Sequence, residues 1–160
     1  MIIEPLSAAL NPSDASVAIL FCPTEESVYL QHRDRAPGIF YPDYLSCFGG
    51  AIDEGENESD AIHRELGEEI GLTGLPSSDV FSTVSLNFGC FGKGVVTRYY
   101  FVFEVSGRHL NQLTVCEGQG MVSVTRADVF GTMAARIAPY DLFVLHQFFT
   151  RPGLGCAEQV

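Results

Sequence analysis

The chain has 160 residues, with twenty acids against nine bases and a net charge of −11. That length suits one domain able to bury roughly two thirds of the surface it exposes when unfolded, while eight arginines and the single Lys93 exclude an extended nucleic-acid groove, whose affinity rests on neutralising many phosphates. No apolar run approaches the ~20 residues of a membrane span, and the opening "MIIEPLSAALNPSD" has no basic region of a secretory leader, so a cytoplasmic protein is expected.

The first apolar, β-branched runs, Ser16 to Cys22 and Ser27 to His32, are joined by "PTEE" and predict a hairpin. A Pro- and Gly-containing loop, "RDRAPGIFYPDY", leads to the short run "LSCF" and the pair Gly49-Gly50, followed by an acidic, helix-like segment. The runs "VFSTVSLNF" and "VVTRYYFVFEV" flank the glycine-rich "GCFGKG" and predict a second hairpin. In the longer strand the period of two sends Tyr99, Phe101, Phe103 and Val105 to one face and Arg98, Tyr100, Val102 and Glu104 to the other, so both faces are covered. A short strand, "GMVSVT", follows, and "APYDLFVLHQFFT" places Leu142, Leu145, His146 and Phe149 at helical spacing. Residues 151–160 read as a frayed tail. With no repeat, linker or low-complexity tract, the expectation is a single α/β domain over 1–160. The cysteines, Cys22, Cys47, Cys90, Cys116 and Cys156, are odd in number and scattered without ligand spacing, and are expected to be buried apolar residues in a reducing compartment.

Eight of the twenty acids lie between Asp53 and Glu69. Asn57 is a plausible N-cap with Asp60 in a capping-box-like position, and Gly71 a plausible stop, which frames a helix of about three and a half turns. Ile62, Leu66 and Ile70 form its apolar stripe, and Glu65, Glu68 and Glu69 fall within an adjoining arc of about 100°. Each like-charge pair at this spacing costs ~0.2–0.5 kcal/mol, and Glu68 and Glu69 sit at the negative end of the helix dipole, an added ~0.3–1 kcal/mol each. Arg64, four residues after Asp60 and four before Glu68, offsets part of this. The remainder points to a bound cation, and hard divalent ions such as Mg²⁺ or Mn²⁺ take carboxylate oxygens together with substrate phosphates.

From Gly50 to Leu72 the chain reads "GAIDEGENESDAIHRELGEEIGL", which resembles the Nudix hydrolase signature G-x5-E-x7-R-E-U-x-E-E-x-G-U (U apolar) at every defined position: Gly50, Glu56, Arg64, Glu65, Leu66, Glu68, Glu69, Gly71 and Leu72. The resemblance implies an α/β/α sandwich around a mixed sheet, and cleavage of a pyrophosphate linkage in a nucleoside diphosphate joined to another moiety, by water and with Mg²⁺ or Mn²⁺. It implies that Glu68 and Glu69 are metal ligands, helped by Glu56 or Glu65 and by the Gly49 carbonyl. Arg64 would orient the carboxylates, Gly50 would let the backbone pass close to the metal, and Gly71 would close the helix. The family's general base varies, and the candidates are Glu65 and Glu117, the latter in the glycine-flanked "CEGQGMVSV".

Substrate choice is expected from outside the signature. Arg33 and Arg35 in "HRDRAPG" are candidates for pairing with a distal phosphate, with Asp34 a competing partner, and Arg98 is a further candidate. Among the aromatics Phe40, Tyr41, Tyr44, Phe48, Phe88 and Phe91, Phe91 is the foremost candidate to stack on a base, and His63 is expected on the solvent side of the helix. The small-molecule substrate is a nucleotide, with ADP-ribose, nucleotide sugars, dinucleoside polyphosphates and oxidised triphosphates open, and a homodimer is possible. Two alternatives differ in class. One is a non-catalytic nucleotide-metabolite sensor on the same fold, against which the intact acids argue. The other is an isoprenoid-type isomerase, which needs a reactive thiol facing the metal, and Cys47 is the one suggestive position.

Overall fold

The computed structural model describes residues 11–89 and 92–152. Its sheet has seven strands: β1 (Ala15–Cys22), β2 (Ser27–His32), β3 (Leu45–Ser46), β4 (Phe48–Ala51), β5 (Ser82–Asn87), β6 (Val95–Glu104) and β7 (Gly120–Thr125). The spatial order is β3-β2-β1-β6-β5, with β4 pairing β1 and β7 pairing β2. β1 runs parallel to β6 and antiparallel to β2 and β4, so the sheet is mixed. β1 lies at its centre, and all eight of its residues are buried, which is why a continuous apolar run occurs there rather than an alternating one.

The pleat divides the core in two. Val17, Ile19 and Phe21 of β1 join Tyr100 of β6 beneath α4 (Pro139–Thr150), while Ala18, Leu20 and Cys22 join Phe101 and Phe103 beneath α1 (Glu58–Ile70). The expected three layers are present. α1 docks through Ala61, Ile62, Leu66 and Ile70, all fully or almost fully buried; truncating Leu66 to alanine would cost ~2–5 kcal/mol. Its start is as the spacing implies, with Asn57 Oδ1 accepting from the Asp60 N–H at 2.8 Å. The capping box differs in detail, because Asp60 accepts from the Asn57 side-chain amide at 2.7 Å rather than from its backbone. At the other end Gly71, φ +70°, donates to the Gly67 carbonyl while Leu72 donates to that of Leu66, a left-handed stop that favours glycine.

Three further elements were not expected: the single-turn α2 (Gly107–Leu110), the short α3 (Arg126–Phe130) and a 3₁₀ turn over Ala134–Arg136. α4 is the expected helix with its buried face turned. Asp141, Val144, Leu145, Phe148 and Phe149 face the core, with Leu142 and His146 at its margin. A carboxylate at the N-terminal end of that stripe hid the true face. Two other expectations are corrected. His63 packs edge-on against Phe103, ring centroids 5.4 Å apart, instead of facing solvent alone. Cys22 and Cys47 are buried, but Cys116 is exposed on the loop before β7; Cys90, Phe91 and Cys156 lie outside the described residues.

Candidate functional site

One face of α1, the β4 glycines and two loops close around a cavity of about 300 Å³. Glu65, Glu69, Glu117, Gly49, Gly50 and Arg33 are among its lining. α1 reaches it because β4 crosses very close to β1. At Gly49, φ +127°, a Cβ would lie 2.1 Å from the Ser16 carbonyl oxygen, and at Gly50 a Cβ would lie 2.6 Å from the Glu65 carboxylate. Any side chain at Gly50 would therefore force the Glu65 carboxylate to shift from its place. The Ser16 hydroxyl also donates to the Glu58 carbonyl at 2.7 Å, pinning the first turn of α1 to β1.

Arg64 organises three of the four signature acids. Its Nε and Nη2 donate to the two oxygens of Glu56 at 3.0 and 2.9 Å, Nη1 donates to Glu65 at 2.8 Å and Glu68 at 3.3 Å, and Nη2 also reaches the Ala51 carbonyl at 2.9 Å. This fork accounts for the tolerated crowding of charge. The Arg64 hydrogen bonds hold the Glu56 carboxyl below its usual range, whereas burial pushes Glu65 up despite Arg64. Glu68 remains 62% exposed.

Glu69 is different in kind. It is turned inward and buried, accepting from the Gly49 N–H at 2.9 Å and from the Gln31 amide at 3.3 Å. Burial pushes its pKa up to about 7, with Glu65 and Glu117 adding repulsion and the Gly49 N–H opposing the shift. Three acids of one sign sharing a cavity, two of them with raised pKa, form a site that a hard cation would relieve. As the side chains lie, no three His, Cys, Asp or Glu residues among those described stand close enough to enclose an ion. Arg64 holds Glu56, Glu65 and Glu68, and the Gly49 N–H holds Glu69. The oxygen-only donor set nevertheless suits Mg²⁺ or Mn²⁺.

The loop carrying Glu117 docks on the end of α1 and on β2. The N–H groups of Thr114 and Cys116 donate to the carbonyls of Ile70 and Glu69 at 3.1 and 2.7 Å, and that of Gln119 donates to the His32 carbonyl at 2.7 Å. Asp43 ties the opposite lip to it by accepting from His32 at 2.9 Å, Arg35 at 3.0 Å and Gln119 at 3.1 Å. These partners, Arg35 foremost, hold the Asp43 carboxyl down to about 2.

The arginines separate. Arg33 donates from Nε to the Phe40 carbonyl at 2.9 Å and lines the cavity. Arg35, 74% exposed, is engaged by Asp43 and does not line it; Asp43, not the adjacent Asp34, is the competing acid. Arg98 lines a second cavity of about 180 Å³ that shares Arg33 and Gly49–Ala51 with the first and is walled by Phe40, Phe88 and Tyr140. Its guanidinium lies 4.2 Å from the centre of the Tyr140 ring and 3.6 Å from Asp141. Asp141 is fully buried and also accepts from the Tyr100 hydroxyl at 2.7 Å and the Cys47 N–H at 3.0 Å. Sequence reasoning missed Asp141 and Gln31. The signal for the first was an acid inside an apolar helical stripe, and for the second a polar residue at the end of a buried strand.

Cys47 does not suit the isomerase. It belongs to the core beneath α4, on the far side of the sheet from α1, and burial pushes its thiol well above its usual value.

The sequence profile of the NUDIX domain matches residues 12–140. No curated protein matches the chain. Among solved structures, the dihydroneopterin triphosphate pyrophosphohydrolase of E. coli superposes with a TM-score of 0.67 at 19% identity, covering 87% of this chain and 96% of that one. The MutT protein of Methanosarcina mazei Go1 gives 0.70 at 15% identity, covering 89% and 96%. A bifunctional NMN adenylyltransferase/ADP ribose pyrophosphatase from Francisella tularensis gives 0.62 at 15%, covering 86% of this chain and 41% of its own. At these identities the likeness is one of fold.

Proposed function

Since the chain belongs to the Nudix hydrolase family, we propose that it is a divalent-metal-dependent pyrophosphohydrolase, cleaving with water a nucleoside diphosphate linked to another moiety or a nucleoside triphosphate. The observation that carries this reading is the convergence of Glu65, Glu69 and Glu117 with the β4 glycines on one cavity. The E. coli neighbour is a triphosphate pyrophosphohydrolase and the Francisella neighbour includes an ADP ribose pyrophosphatase, which sets the range of substrates to test.

In this reading Glu69, Glu68, Glu56 and Glu65 with the Gly49 carbonyl hold Mg²⁺ or Mn²⁺. When bound, the ion neutralises diphosphate oxygens and lowers the pKa of the attacking water. Arg64 holds Glu56, Glu65 and Glu68 aligned through its hydrogen bonds. Glu117 enters from a loop rather than from α1, so it can approach the phosphorus from another side than the signature acids, and of the two candidate bases it is the one not engaged by Arg64. Arg33 lines both cavities, which supports its pairing with a phosphate oxygen in this reading, and the aromatic walls around Arg98 support stacking of the nucleoside there. The fold carries no helix among the described residues long and apolar enough to cross a membrane.

The test is release of nucleoside monophosphate from a panel of nucleoside diphosphate derivatives and triphosphates, with Mg²⁺, Mn²⁺ or chelator. Metal-dependent turnover of one class is expected. Nucleotide binding without turnover of any member would overturn the enzymatic reading in favour of a sensor.

A further inference from the structure

Gln31 is only 5% exposed, and its side chain lies among carboxylates on the α1 side of β2. Its Nε2 donates to Glu69 Oε1 at 3.3 Å and to the Glu117 carbonyl at 3.4 Å. An amide nitrogen carries two hydrogens, so both bonds are made at once. The loop is pressed hard against this residue. At Gly118, φ +80°, a Cβ would lie 2.6 Å from the His32 carbonyl oxygen and 3.1 Å from Gln31 Cγ.

Ser46 supplies a second observation. It is the register partner of Gln31 across β2 and β3, and because Leu45 and Cys47 face the core beneath α4, the pleat turns Ser46 to the α1 side. Its hydroxyl is buried and, among the described residues, without a hydrogen-bond partner. A polar wall of an amide and a hydroxyl thus backs the acids where apolar packing would be ordinary.

We propose that Gln31 is a positioning residue: its amide fixes Glu117 relative to Glu69 so that both carboxylates address the same divalent cation and diphosphate. The proposal rests on the reading of the site given above. A neutral double donor is the group this task requires. A lysine would discharge the site and compete with the cation, and another carboxylate would add to the repulsion that already raises Glu65 and Glu69.

A double-mutant cycle between Gln31→Met and Glu117→Ala tests this, with Mn²⁺ affinity read from the paramagnetic resonance of free Mn²⁺ and with kcat and KM on the substrate the panel identifies. Gln31→Met is expected to lower kcat and Mn²⁺ affinity by ~10–100-fold with KM nearly unchanged. In the Glu117→Ala background the same substitution should have a clearly smaller effect, the part that comes from its bond to Glu69 alone. Equal effects in both backgrounds, or a Gln31→Met protein with unaltered kcat and Mn²⁺ affinity, would overturn the proposal. The Mn²⁺ arm decides even if the panel yields no substrate, and Gln31→Ser, which admits water, repeats the cycle should Gln31→Met not fold. Glu69→Gln separates the two levels: full turnover in that variant sinks the site itself, whereas its inactivity beside a silent Gln31→Met sinks only the positioning role.

Discussion

Glu69→Gln should stabilise the metal-free protein above neutral pH while removing its turnover. The Glu69 carboxyl has a folded pKa of about 7 against an ordinary 4.5. Below 4.5 both folded and unfolded chains hold the proton, and folding bears no cost from it. As pH rises the unfolded chain ionises first, and above about 7 the folded protein carries a buried charge whose full cost is present. At 1.36 kcal/mol per unit this amounts to about 3 kcal/mol. Glutamine keeps an oxygen for the Gly49 N–H but sets its own amide against that of Gln31, so a net gain of ~1–3 kcal/mol at pH 8 is the expectation. For a chain of this size that is a rise of ~2–10 °C in Tm. Thermal unfolding in chelator at pH 5 and pH 8 reads it: the two proteins should differ less at pH 5 than at pH 8. Mn²⁺ at about 1,000 times Kd should then reverse the order, since it adds ~4.1 kcal/mol to the wild type alone. A variant no more stable than wild type at pH 8 in chelator would refute the buried-charge reasoning.

Other outcomes follow from the same geometry. Arg64→Ala leaves Glu56, Glu65 and Glu68 without their shared partner and should lower turnover by ~10–100-fold, measured as monophosphate release; unchanged turnover would show that the fork does not align the acids. Asp141→Asn strips a buried charge from Arg98 and should cost ~3 kcal/mol in urea unfolding, a loss that Tyr100→Phe, which spares the ion pair, should not reach. Asp43 has a folded pKa of about 2 against an ordinary 3.8, so its contribution is present above 3.8 and is lost as pH falls through about 2. Asp43→Asn should therefore be less stable than wild type at pH 7, and the two unfolding curves should converge near pH 2. Gly50→Ala should abolish activity with a smaller effect on folding, because the new methyl meets the Glu65 carboxylate rather than the core.

The carboxylate spacing, the helix and both its ends were legible because they depend on neighbours close in sequence. Asn57 and Gly71 act on their own helix, and Glu65, Glu68 and Glu69 share a face through the period of 3.6 residues alone. The same holds for the alternation of β6, which divides the two cores as its pattern implies. The partners of Arg64 were only half legible: Glu68 is reached by helical spacing, but Glu56 comes from the preceding loop and displaces Asp60 from the pairing. Likewise Arg35 has Asp43 for a partner, eight residues on, because the left-handed backbone at Asp43 folds the loop back on itself.

What only the tertiary structure decided is which groups from distant segments share one low-dielectric space. Composition carries no trace of Glu69 being sealed between Gly49 and Gln31 or of Asp141 anchoring Arg98 from α4, and Glu117 was a candidate only through the family resemblance. Residues 31, 49, 69 and 117 meet through sheet register and helix docking, which the whole core sets. The sequence by itself determined that a set of carboxylates would crowd one helix face beside two glycines; the fold determined which of them is buried, which Arg64 engages, and what stands behind them.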